Sequence, residues 1–515
     1  MEEITFSLNN NTHCHRLKDL YKDVVADCGG DFLMSNRFKK LAVPMLLPLF
    51  MAACGGGGSG ASSAPSASAN GNSLSSSAVG VGGTAGSAQT IASLTDVGRK
   101  GKTYYVAMNG SDNADGASLS TPFLTLTKAV NIVNPGDVIE VRGGTYAGTT
   151  IQRPGTPDAW IKLESYNGEH VVIDGTGREE DIYFYQNNFA PMYWILNGVE
   201  LVNANYYELK IDTPFVRIVK NNIHGSPDDL VKVVGTAHDI VIYGNELHHN
   251  NAPNGANAQG VDMVGVVNAW IADNYVHDIP SIGLYAKGGS QNIVYENNRV
   301  ENIYERGIML GQSTGQAFMN NGPYESFDSI IRNNIIINTQ DACLATASSL
   351  NIKIYNNSCF NAATGAHGAI FVSNEAESGQ AGTNIDIKDN IIYTSTQTAR
   401  AAISIGPKAM TDNSTLHIDG NIYWSANGAA AVTFLWEDRN LFNVPIDVWR
   451  TATGMDASSI VADPQYASTT DLTLSPTSPA IDAGLPDSVS TDYVGNKRPF
   501  GKGIDIGAYE FGSNP

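Results

Sequence analysis

The chain has 515 residues, of which 42% are hydrophobic and 16% are charged, so it is long enough to bury a large core. Its formal net charge is −20 at pH 7, which argues against a nucleic acid as partner because phosphate binding needs a basic surface. An acidic protein can still bind an acidic polysaccharide, through a local cluster of basic side chains or through bridging cations.

The N-terminal part predicts an exported protein. Residues 34–54 combine a basic segment, 37–40, with the apolar run Leu41–Ala53, which is too short to span a bilayer and has the features of a secretory signal. The four residues that end at Cys54, Met-Ala-Ala-Cys, resemble a bacterial lipobox. The resemblance implies cleavage before Cys54, a lipid on its thiol and a protein anchored to the cell envelope. An ordinary signal peptide, which would release a secreted protein, is the alternative.

The segments on both sides of this signal differ from it in composition. We interpret residues 1–33 as a mis-assigned start or an extended leader, because Met34 would begin a signal of normal length. Residues 55–100 are rich in Gly, Ser and Ala and cannot bury enough apolar surface to fold. We therefore expect a flexible linker there, and contact with a membrane only through the lipid anchor.

A repeated unit follows from about Trp194: a β-branched run, an Asn and a second short apolar run. The units are at least 23 residues apart, and we interpret the larger spacings as insertions in loops. The aligned Asn residues are Asn197, Asn222, Asn245, Asn274, Asn298, Asn334, Asn357, Asn390 and Asn421. The runs are short, and no helix fits between them. This pattern predicts a solenoid of short strands in which Asn side chains stack from coil to coil as a ladder.

The segments that flank the repeat resemble known end structures. Residues 102–146, with a predicted helix at about Leu126–Val133, resemble the N-terminal entry of right-handed β-helix polysaccharide lyases, where a helix covers the open end. Two motifs near the C terminus, Ser478–Gly484 and Gly503–Glu510, resemble the segment that closes many secreted bacterial β-helices. We therefore expect an all-β protein, with a right-handed parallel β-helix over 101–465, an N-terminal helical cap and a C-terminal capping segment over 466–515.

Aligning the coils by their Asn residues assigns side chains to the inside or the outside of one sheet. The predicted inward residues are Val231, Val261, Leu284 and Ile308. The predicted outward residues are Lys232, Asp262 and Tyr285. Charged residues gather near them on four coils: Asp228, Asp229, Asp262, Lys232, Lys287 and Arg306. Since adjacent coils lie about 4.8 Å apart, we expect these groups within roughly 15 Å of one another. A row of ion pairs on a solvated sheet face is the alternative interpretation.

These residue types suit the β-elimination that cleaves a uronate-containing polysaccharide. The reaction neutralises the uronate carboxylate, removes the proton beside it and protonates the leaving oxygen. The residues predicted to act in catalysis are Lys287, Arg306 and Lys232. Those predicted to hold a Ca²⁺ ion, which would neutralise the carboxylate, are Asp228, Asp229 and Asp262. Those predicted to bind substrate are Tyr285, Gln312 and Glu325, of which the last two lie on a loop expected to overhang the face.

The Asp228–Asp229 pair and Lys287 make the chain similar to pectate-lyase-like β-helices, nearest to the family-nine polysaccharide lyases. The resemblance implies a calcium site made from an Asp-Asp pair and a further Asp three residues on, with a catalytic Lys on a later coil. Position 232 departs from this pattern because it is a Lys. Either Asp262 supplies the missing carboxylate from the next coil, or Lys232 replaces the cation and binds the substrate carboxylate itself.

Other functions on the same scaffold stay open. A glycoside hydrolase would use two carboxyls as acid and base, for which Asp229 and Asp262 are available. A C5-epimerase shares the proton abstraction of the lyase, and a non-catalytic surface protein would only bind glycan. In each case we expect a monomer outside the cytoplasm with an anionic polysaccharide as its partner.

Two further groups of residues receive a structural interpretation. Cys343 and Cys359 are expected to be buried free thiols, with a disulfide in an oxidising compartment as the alternative. His248 and His249 lie at a coil end before an Asn-rich insertion, and we interpret them as loop residues rather than as a metal site. His224 is expected to reach the Asp228–Asp229 pair.

Overall fold

The computed structural model describes residues 94–97, 101–365, 367–375, 377, 379–394, 401–486 and 489–513. The predicted leader, the signal and the lipobox cysteine lie outside these residues, as does the predicted linker except for 94–97. Within the linker, Leu94 is buried against Trp160 and Ile195, and its carbonyl accepts a hydrogen bond from Arg217 Nη1. No helix among the described residues is long and apolar enough to cross a membrane.

The strands of the described residues form three sheets of 12 strands each. Apart from the first strand and the last two, each coil of the chain adds one strand to each sheet in turn. Sheet A contains β1 (Thr103–Val106), β2 (Val138–Val141), β5 (Ile161–Ser165), β8 (Trp194–Asn197), β11 (Val216–Val219), β14 (His238–Tyr243), β17 (Val267–Ala272), β20 (Ser290–Glu296), β23 (Ser326–Arg332), β26 (Leu350–Tyr355), β29 (Thr383–Lys388) and β32 (Leu416–Asp419).

Sheet B contains β3 (Gly144–Ala147), β6 (Val171–Asp174), β9 (Glu200–Val202), β12 (Asn222–His224), β15 (Glu246–His248), β18 (Tyr275–Ile279), β21 (Arg299–Ile303), β24 (Ile335–Thr339), β27 (Ser358–Ala362), β30 (Ile391–Thr394), β33 (Ile422–Ser425) and β36 (Ile460–Val461). Sheet C contains β4 (Thr149–Ile151), β7 (Glu180–Phe184), β10 (Tyr207–Ile211), β13 (Val231–Val233), β16 (Val261–Val264), β19 (Leu284–Lys287), β22 (Ile308–Leu310), β25 (Leu344–Ala347), β28 (Ile370–Ser373), β31 (Ile403–Ile405), β34 (Phe434–Trp436) and β35 (Leu441–Val444).

This topology is the predicted right-handed parallel β-helix. Neighbouring strands pair in parallel, and the antiparallel exception is β34 with β35 at the C-terminal end of sheet C. Helices are few in the part of the chain that the structure describes: beside a helical turn at Leu94 and Thr95 there are α1 (Leu126–Val130), α2 (Ile446–Thr453) and six short 3₁₀ turns. The 3₁₀ turns are Tyr166–Gly168, Asn187–Phe189, Gln316–Phe318, Asn413–Thr415, Ala429–Ala431 and Glu437–Arg439.

The core is a column of aliphatic side chains inside the coils. Inward residues of successive strands align in register, as in the sheet A series of Ile218, Ile242 and Ile271, which are all fully buried. The β-branched residues that dominate these strands fit the pleated surface and pack on the residue one coil away. Each coil therefore covers the apolar face of its neighbours, and burial grows with the number of coils.

The Asn ladder exists, and its first two positions differ from the prediction. Each ladder Asn accepts hydrogen bonds on its Oδ1 from the backbone N–H and, with few exceptions, the Nδ2 of the Asn one coil earlier. The ladder residues are Asn221, Asn245, Asn274, Asn298, Asn334, Asn357, Asn390 and Asn421. Asn222 begins β12 instead, and Asn197 ends β8, where its Nδ2 donates to Glu164 Oε2 at 3.1 Å. In the coil of Asn197 the ladder position is held by Val199, whose N–H donates to Asn221 Oδ1.

The N-terminal cap is a helix, as predicted, but it is three residues shorter. Helix α1 begins after Thr125, whose side chain accepts a hydrogen bond from Lys128 N, and it buries Leu126, Ala129 and Val130 against the core. Because the first coil has no preceding coil, this apolar face takes the place of the missing strands.

The C-terminal end differs in construction from the predicted capping segment. Trp436 on β34 and Trp449 on α2 are fully buried at the last coils, and Trp449 stacks on Phe434. The described part of the segment after residue 466 packs on the outward side of sheet B, where Leu474 and Ile506 cover apolar side chains of β30 and β33. This segment therefore shields a flank of the solenoid, and the buried tryptophans pack in the core at its end.

Cys343 and Cys359 form a disulfide inside the core, so the expectation of free thiols is wrong. Their Cα atoms are 6.3 Å apart and both residues are fully buried. Cys343 precedes β25 and Cys359 lies on β27, so the bond joins the beginning of a strand in sheet C to a strand in sheet B.

Candidate functional site

The candidate site lies on the outward face of sheet C, across β13, β16, β19 and β22. The predicted register is confirmed: Lys232 pairs with Asp262, and Asp262 pairs with Tyr285. The four predicted inward residues are all in the apolar core. The outward column of successive coils reads Tyr183, Lys210, Lys232, Asp262, Tyr285, Met309, Ala345 and Phe371.

Lys232 is the centre of an ion-pair cluster. Its Nζ lies 2.9 Å from Asp229 Oδ2 and also contacts Asp262 Oδ2. Both carboxylates are fully buried, and the lysine side chain is 11% exposed. Burial opposes the charge on Lys232, but the two carboxylates outweigh it and raise the pKa of this lysine well above its ordinary value. Lys232 is therefore a fixed positive charge and has no capacity to accept a proton near neutral pH.

Asp229 and Asp228 occupy the turn before β13. Asp229 Oδ1 accepts a hydrogen bond from Gln259 N at 2.9 Å, and Asp229 N donates to Asp228 Oδ1 at 2.9 Å. Burial raises the pKa of Asp229 to about 7, although Lys232 acts in the opposite direction.

The three predicted metal ligands do not fit a calcium ion in this arrangement. Both oxygens of Asp229 are engaged, one by a backbone N–H and one by the Lys232 ammonium. Asp262 Oδ2 is bonded to the same ammonium and lies 3.8 Å from Lys287 Nζ. Ca²⁺ needs six to eight oxygen ligands and a negative site, whereas two ammonium groups neutralise these carboxylates.

Lys287 is the more accessible ammonium of the cluster. It ends β19, its side chain is 17% exposed, and its Nζ lies 4.4 Å from the centroid of the Tyr285 ring. Tyr285 is buried beneath it and donates from its hydroxyl to Gln312 Oε1 at 3.0 Å. Burial, and to a lesser degree the Asp262 carboxylate, raise the pKa of Tyr285 well above its ordinary value. The tyrosine thus stays neutral and supports Lys287 by a cation–π contact.

Glu325 is placed differently from the prediction, because it is buried and holds a loop. Its Oε2 accepts from Gly288 N and from Thr314 Oγ1, and its Oε1 accepts from Thr314 N. These bonds fix the insertion 311–325 to the turn that follows Lys287. Gly288 has φ 68°, a conformation that suits Gly, so the turn beside Lys287 is both tight and anchored.

Arg306 belongs to a neighbouring cluster rather than to the Lys232 group. Its Nε lies 3.2 Å from Asp341 Oδ2 and its Nη2 lies 3.4 Å from Glu375 Oε1. His367 Nδ1 contacts Asp341 at 2.8 Å and its ring stacks on Phe371, which also lies under the Arg306 guanidinium. Met309 connects the two clusters, because it packs with Tyr285 and its sulfur accepts from Arg306 Nη1.

The alignment of coils in the sequence extends only to Gln312, so the sequence analysis missed four members of this second cluster: Asp341, His367, Phe371 and Glu375. Continuing the coil register would have found Phe371, since it occupies the column of Tyr285 two strands beyond Met309. Glu375 follows the end of β28, where a strand pattern carries no information. His224 does not reach the Asp228–Asp229 pair; its Nε2 contacts Glu200 Oε1 at 3.0 Å on sheet B.

A parallel solenoid with a charged and aromatic strip on one outward sheet defines the class as a right-handed parallel β-helix. Two family models match it: a Pel9A-like right-handed β-helix region over residues 104–268 and a right-handed β-helix region over residues 197–376. Over these residues the chain is similar to Pel9A-like right-handed β-helices.

Individual relatives agree with this assignment. Pectate lyase PEL9 of Emericella nidulans is 34% identical over 116 residues, which cover 20% of this chain and 28% of the relative. Pectate lyase L of Dickeya dadantii is 30% identical over 116 residues, covering 20% of this chain and 27% of the relative. The match thus spans about a quarter of each relative's length. The crystal structure of pectate lyase Pel9A superposes with a TM-score of 0.53 at 16% identity, over 80% of this chain and 97% of that one.

Proposed function

We propose that the chain binds a uronate-containing polysaccharide on the outward face of sheet C and cleaves it by β-elimination outside the cytoplasm. The observation that carries this proposal is a pair of ammonium groups on one carboxylate. Lys232 is buried against Asp262, and Lys287 on the next coil lies near the same carboxylate but is accessible. The partial similarity to two pectate lyases supports the substrate class.

In this proposal Lys287 is the general base. Its Nζ first gives its ammonium proton to water and then, as the free amine, takes the proton on the carbon beside the uronate carboxylate. The carbon–oxygen bond to the next sugar then breaks, a carbon–carbon double bond forms, and the departing oxygen takes a proton from water. Lys232 does not transfer a proton, because its charge is fixed by Asp229 and Asp262. Its positive charge stabilises negative charge that develops on the substrate carboxylate.

The other predicted residues have supporting roles. Gln312 and Tyr285 position Lys287 through their hydrogen bond and the cation–π contact. Arg306 extends the strip of positive charge by one coil. Its guanidinium, which lies 3.4 Å from Glu375 Oε1, would leave this carboxylate to bind a second uronate of the substrate. Calcium takes no part in this scheme, because two of its three predicted ligands, Asp229 and Asp262, are paired with ammonium groups. We further propose that the protein acts as a monomer and is attached to the cell envelope through Cys54.

The test is an assay for unsaturated products. The full chain is incubated with pectate, alginate and glycosaminoglycans, with and without EDTA, and absorbance near 235 nm is followed. We expect a rise on at least one polymer that EDTA leaves unchanged. Lys287→Ala is expected to lower the rate by about 10²–10⁴-fold. Lys353→Ala, an exposed lysine on sheet A, is the matched control and should keep the full rate.

The outcomes separate the competing functions. Full activity of Lys287→Ala would remove this lysine from the mechanism, and loss of activity with EDTA would restore a metal to it. New reducing ends without absorbance would indicate a hydrolase, for which the raised pKa of Asp229 beside Asp262 is the supporting observation. A uronate whose configuration at C5 is inverted, in an uncleaved chain, would indicate an epimerase. Binding without any product would indicate a glycan-binding protein.

A further inference from the structure

A second group of titratable side chains lies on the outward face of sheet B, away from the Lys232 cluster. Equivalent positions of β12, β15 and β18 are all histidines: His224, His248 and His277. Their rings stack, with centroids 4.5 Å apart for the first pair and 4.9 Å apart for the second. His249 follows β15 and Asp278 holds the same position one coil later, which brings both beside the stack.

We propose that His249, His277 and Asp278 bind a zinc ion. His277 Nδ1 lies 2.7 Å from Asp278 Oδ2, and His249 Nε2 lies 3.7 Å from the same oxygen. The three ligand atoms are all within 4.8 Å of one another. Zinc bonds to imidazole nitrogen and carboxylate oxygen at about 2.0–2.2 Å, so ligands of one ion must lie within about 4 Å of one another. Small side-chain movements bring these atoms to that spacing.

The hydrogen bonds around the three residues indicate which ring nitrogens carry protons and which can bind a metal. His277 Nε2 donates to Glu246 Oε1 at 3.2 Å, and its Nδ1 is hydrogen-bonded to Asp278 Oδ2 at 2.7 Å, so zinc would displace the proton of this second bond while Glu246 keeps the Nε2 proton. His249 Nδ1 lies 2.7 Å from His248 Nδ1. When His249 donates in this bond, its Nε2 is a lone pair aimed at Asp278.

The chain of bonds continues outward from both His248 and Asp278. His248 Nε2 lies 2.9 Å from Asn222 Oδ1, an acceptor, so His248 carries its proton there and accepts on Nδ1. Asp278 Oδ1 accepts from Asn302 Nδ2 at 3.1 Å, which leaves Oδ2 for the metal. Every ligand is therefore held by an outer partner, the arrangement that orients ligands in zinc sites.

The Asp278 position shows a local departure from the repeat. The following three coils carry Asn302, Asn338 and Asn361 there, joined in a row by amide hydrogen bonds. The row ends at Asp278, and His249 occupies the preceding coil. The backbone at this position is left-handed in each of these coils, with φ between 53° and 59°, a conformation that Asn, Asp and His all tolerate. His249 and Asp278 therefore fit the backbone as Asn does and, unlike Asn, supply metal ligands.

The site is open to solvent and borders a groove. The His249 side chain is 63% exposed and that of Asp278 37%. Asp278 also lines a polar groove of about 410 Å³, together with Asn250, Asn302 and Tyr304. With three protein ligands, zinc has at least one coordination position for water or for an oxygen of a bound molecule. Two imidazoles and one carboxylate favour zinc over calcium or magnesium, which prefer oxygen ligands alone.

The experiment is a titration of the chelator-treated full chain, without an affinity tag, with zinc chloride by isothermal titration calorimetry. We expect one equivalent that is lost, or weakened at least tenfold, in both His249→Ala and Asp278→Asn. Glu246→Gln, which alters only the outer bond to His277, should weaken it by about tenfold. Zinc binding by other parts of the chain is common to all variants and cancels in the comparison.

The matched control is His238→Ala. His238 also pairs with an adjacent aspartate, Asp239, at 2.6 Å, but on sheet A and outside this cluster. It should bind zinc like the parent protein, and calcium chloride should produce none of these differences. Unchanged zinc binding in both His249→Ala and Asp278→Asn would overturn the proposal and leave a plain His–Asp ion pair. Because polysaccharide cleavage is not the readout, the result is independent of the proposed function.

Discussion

Removing one residue from the middle of the Asn ladder should destabilise the protein strongly. Asn298 Nδ2 donates to Asn334 Oδ1 and to Ile271 O, and its Oδ1 accepts from the N–H and the Nδ2 of Asn274. Asn298→Ala deletes all four bonds in a fully buried site. At about 1 kcal/mol for each bond, the free energy of unfolding should fall by about 4 kcal/mol. Urea unfolding followed by circular dichroism measures this change.

The control is Asn197→Ala, because Asn197 was predicted to belong to the ladder and does not. It is half-buried and makes one bond, to Glu164, so its replacement should cost no more than about 1 kcal/mol. Hydrogen exchange gives a local check: in Asn298→Ala the Asn274 amide, which loses its acceptor, should exchange faster, while the Asn357 amide should not change. Equal stability of the two variants would refute the idea that the ladder holds the coils together.

Two other predictions concern groups in the core. Burial, aided by Glu208, raises the pKa of Asp181 to about 11, so this carboxyl stabilises the fold below its unfolded pKa near 4 and this stability is lost as pH rises. From pH 5 to pH 8 the loss amounts to at most about 4 kcal/mol. Thermal unfolding should therefore show that Asp181→Asn is more stable than the parent at pH 8, with a smaller difference at pH 5. A difference that does not depend on pH would contradict the buried neutral carboxyl. Replacing Cys343 and Cys359 together by Ala should lower the free energy of unfolding by about 3 kcal/mol, because the bond closes a loop of 16 residues, and thiol titration of the denatured parent should detect neither cysteine.

The fold was predictable because its interactions repeat. A β-branched run and an Asn recur at a fixed minimum spacing, and each coil can bury its apolar side only against another such coil. The same register in the sequence predicts Lys232, Asp262 and Tyr285 on one outward column, and the strand pairing confirms this prediction. The prediction of the ladder is wrong only at its first two positions. Asn221 and Asn222 are adjacent and equally suited by residue type, and in the coil of Asn197 the ladder position is held by Val199.

The candidate site was only partly predictable, because it depends on turns and insertions. The sequence places Asp229, Lys232 and Lys287 on neighbouring coils, but side-chain reach decides that Lys232 contacts both carboxylates. The insertion 311–325 was expected over the face, yet its Glu325 is turned inward to the backbone of Gly288. Such choices depend on which donors the folded chain brings near, and residue spacing does not contain that information.

The sequence by itself determined the parallel β-helix and the inward and outward residues of its strands, because these depend on the local period of the sequence. The tertiary structure alone decided that Lys232 pairs with Asp229 and Asp262, two of the predicted calcium ligands. It also decided that Arg306 pairs with Glu375 and that His249 lies beside His277 and Asp278. Most of these contacts join residues from different coils through their side-chain ends. Hydrophobic burial specifies where a backbone goes, whereas charge pairing at the surface is specified by distances of a few ångströms that only the folded coils establish.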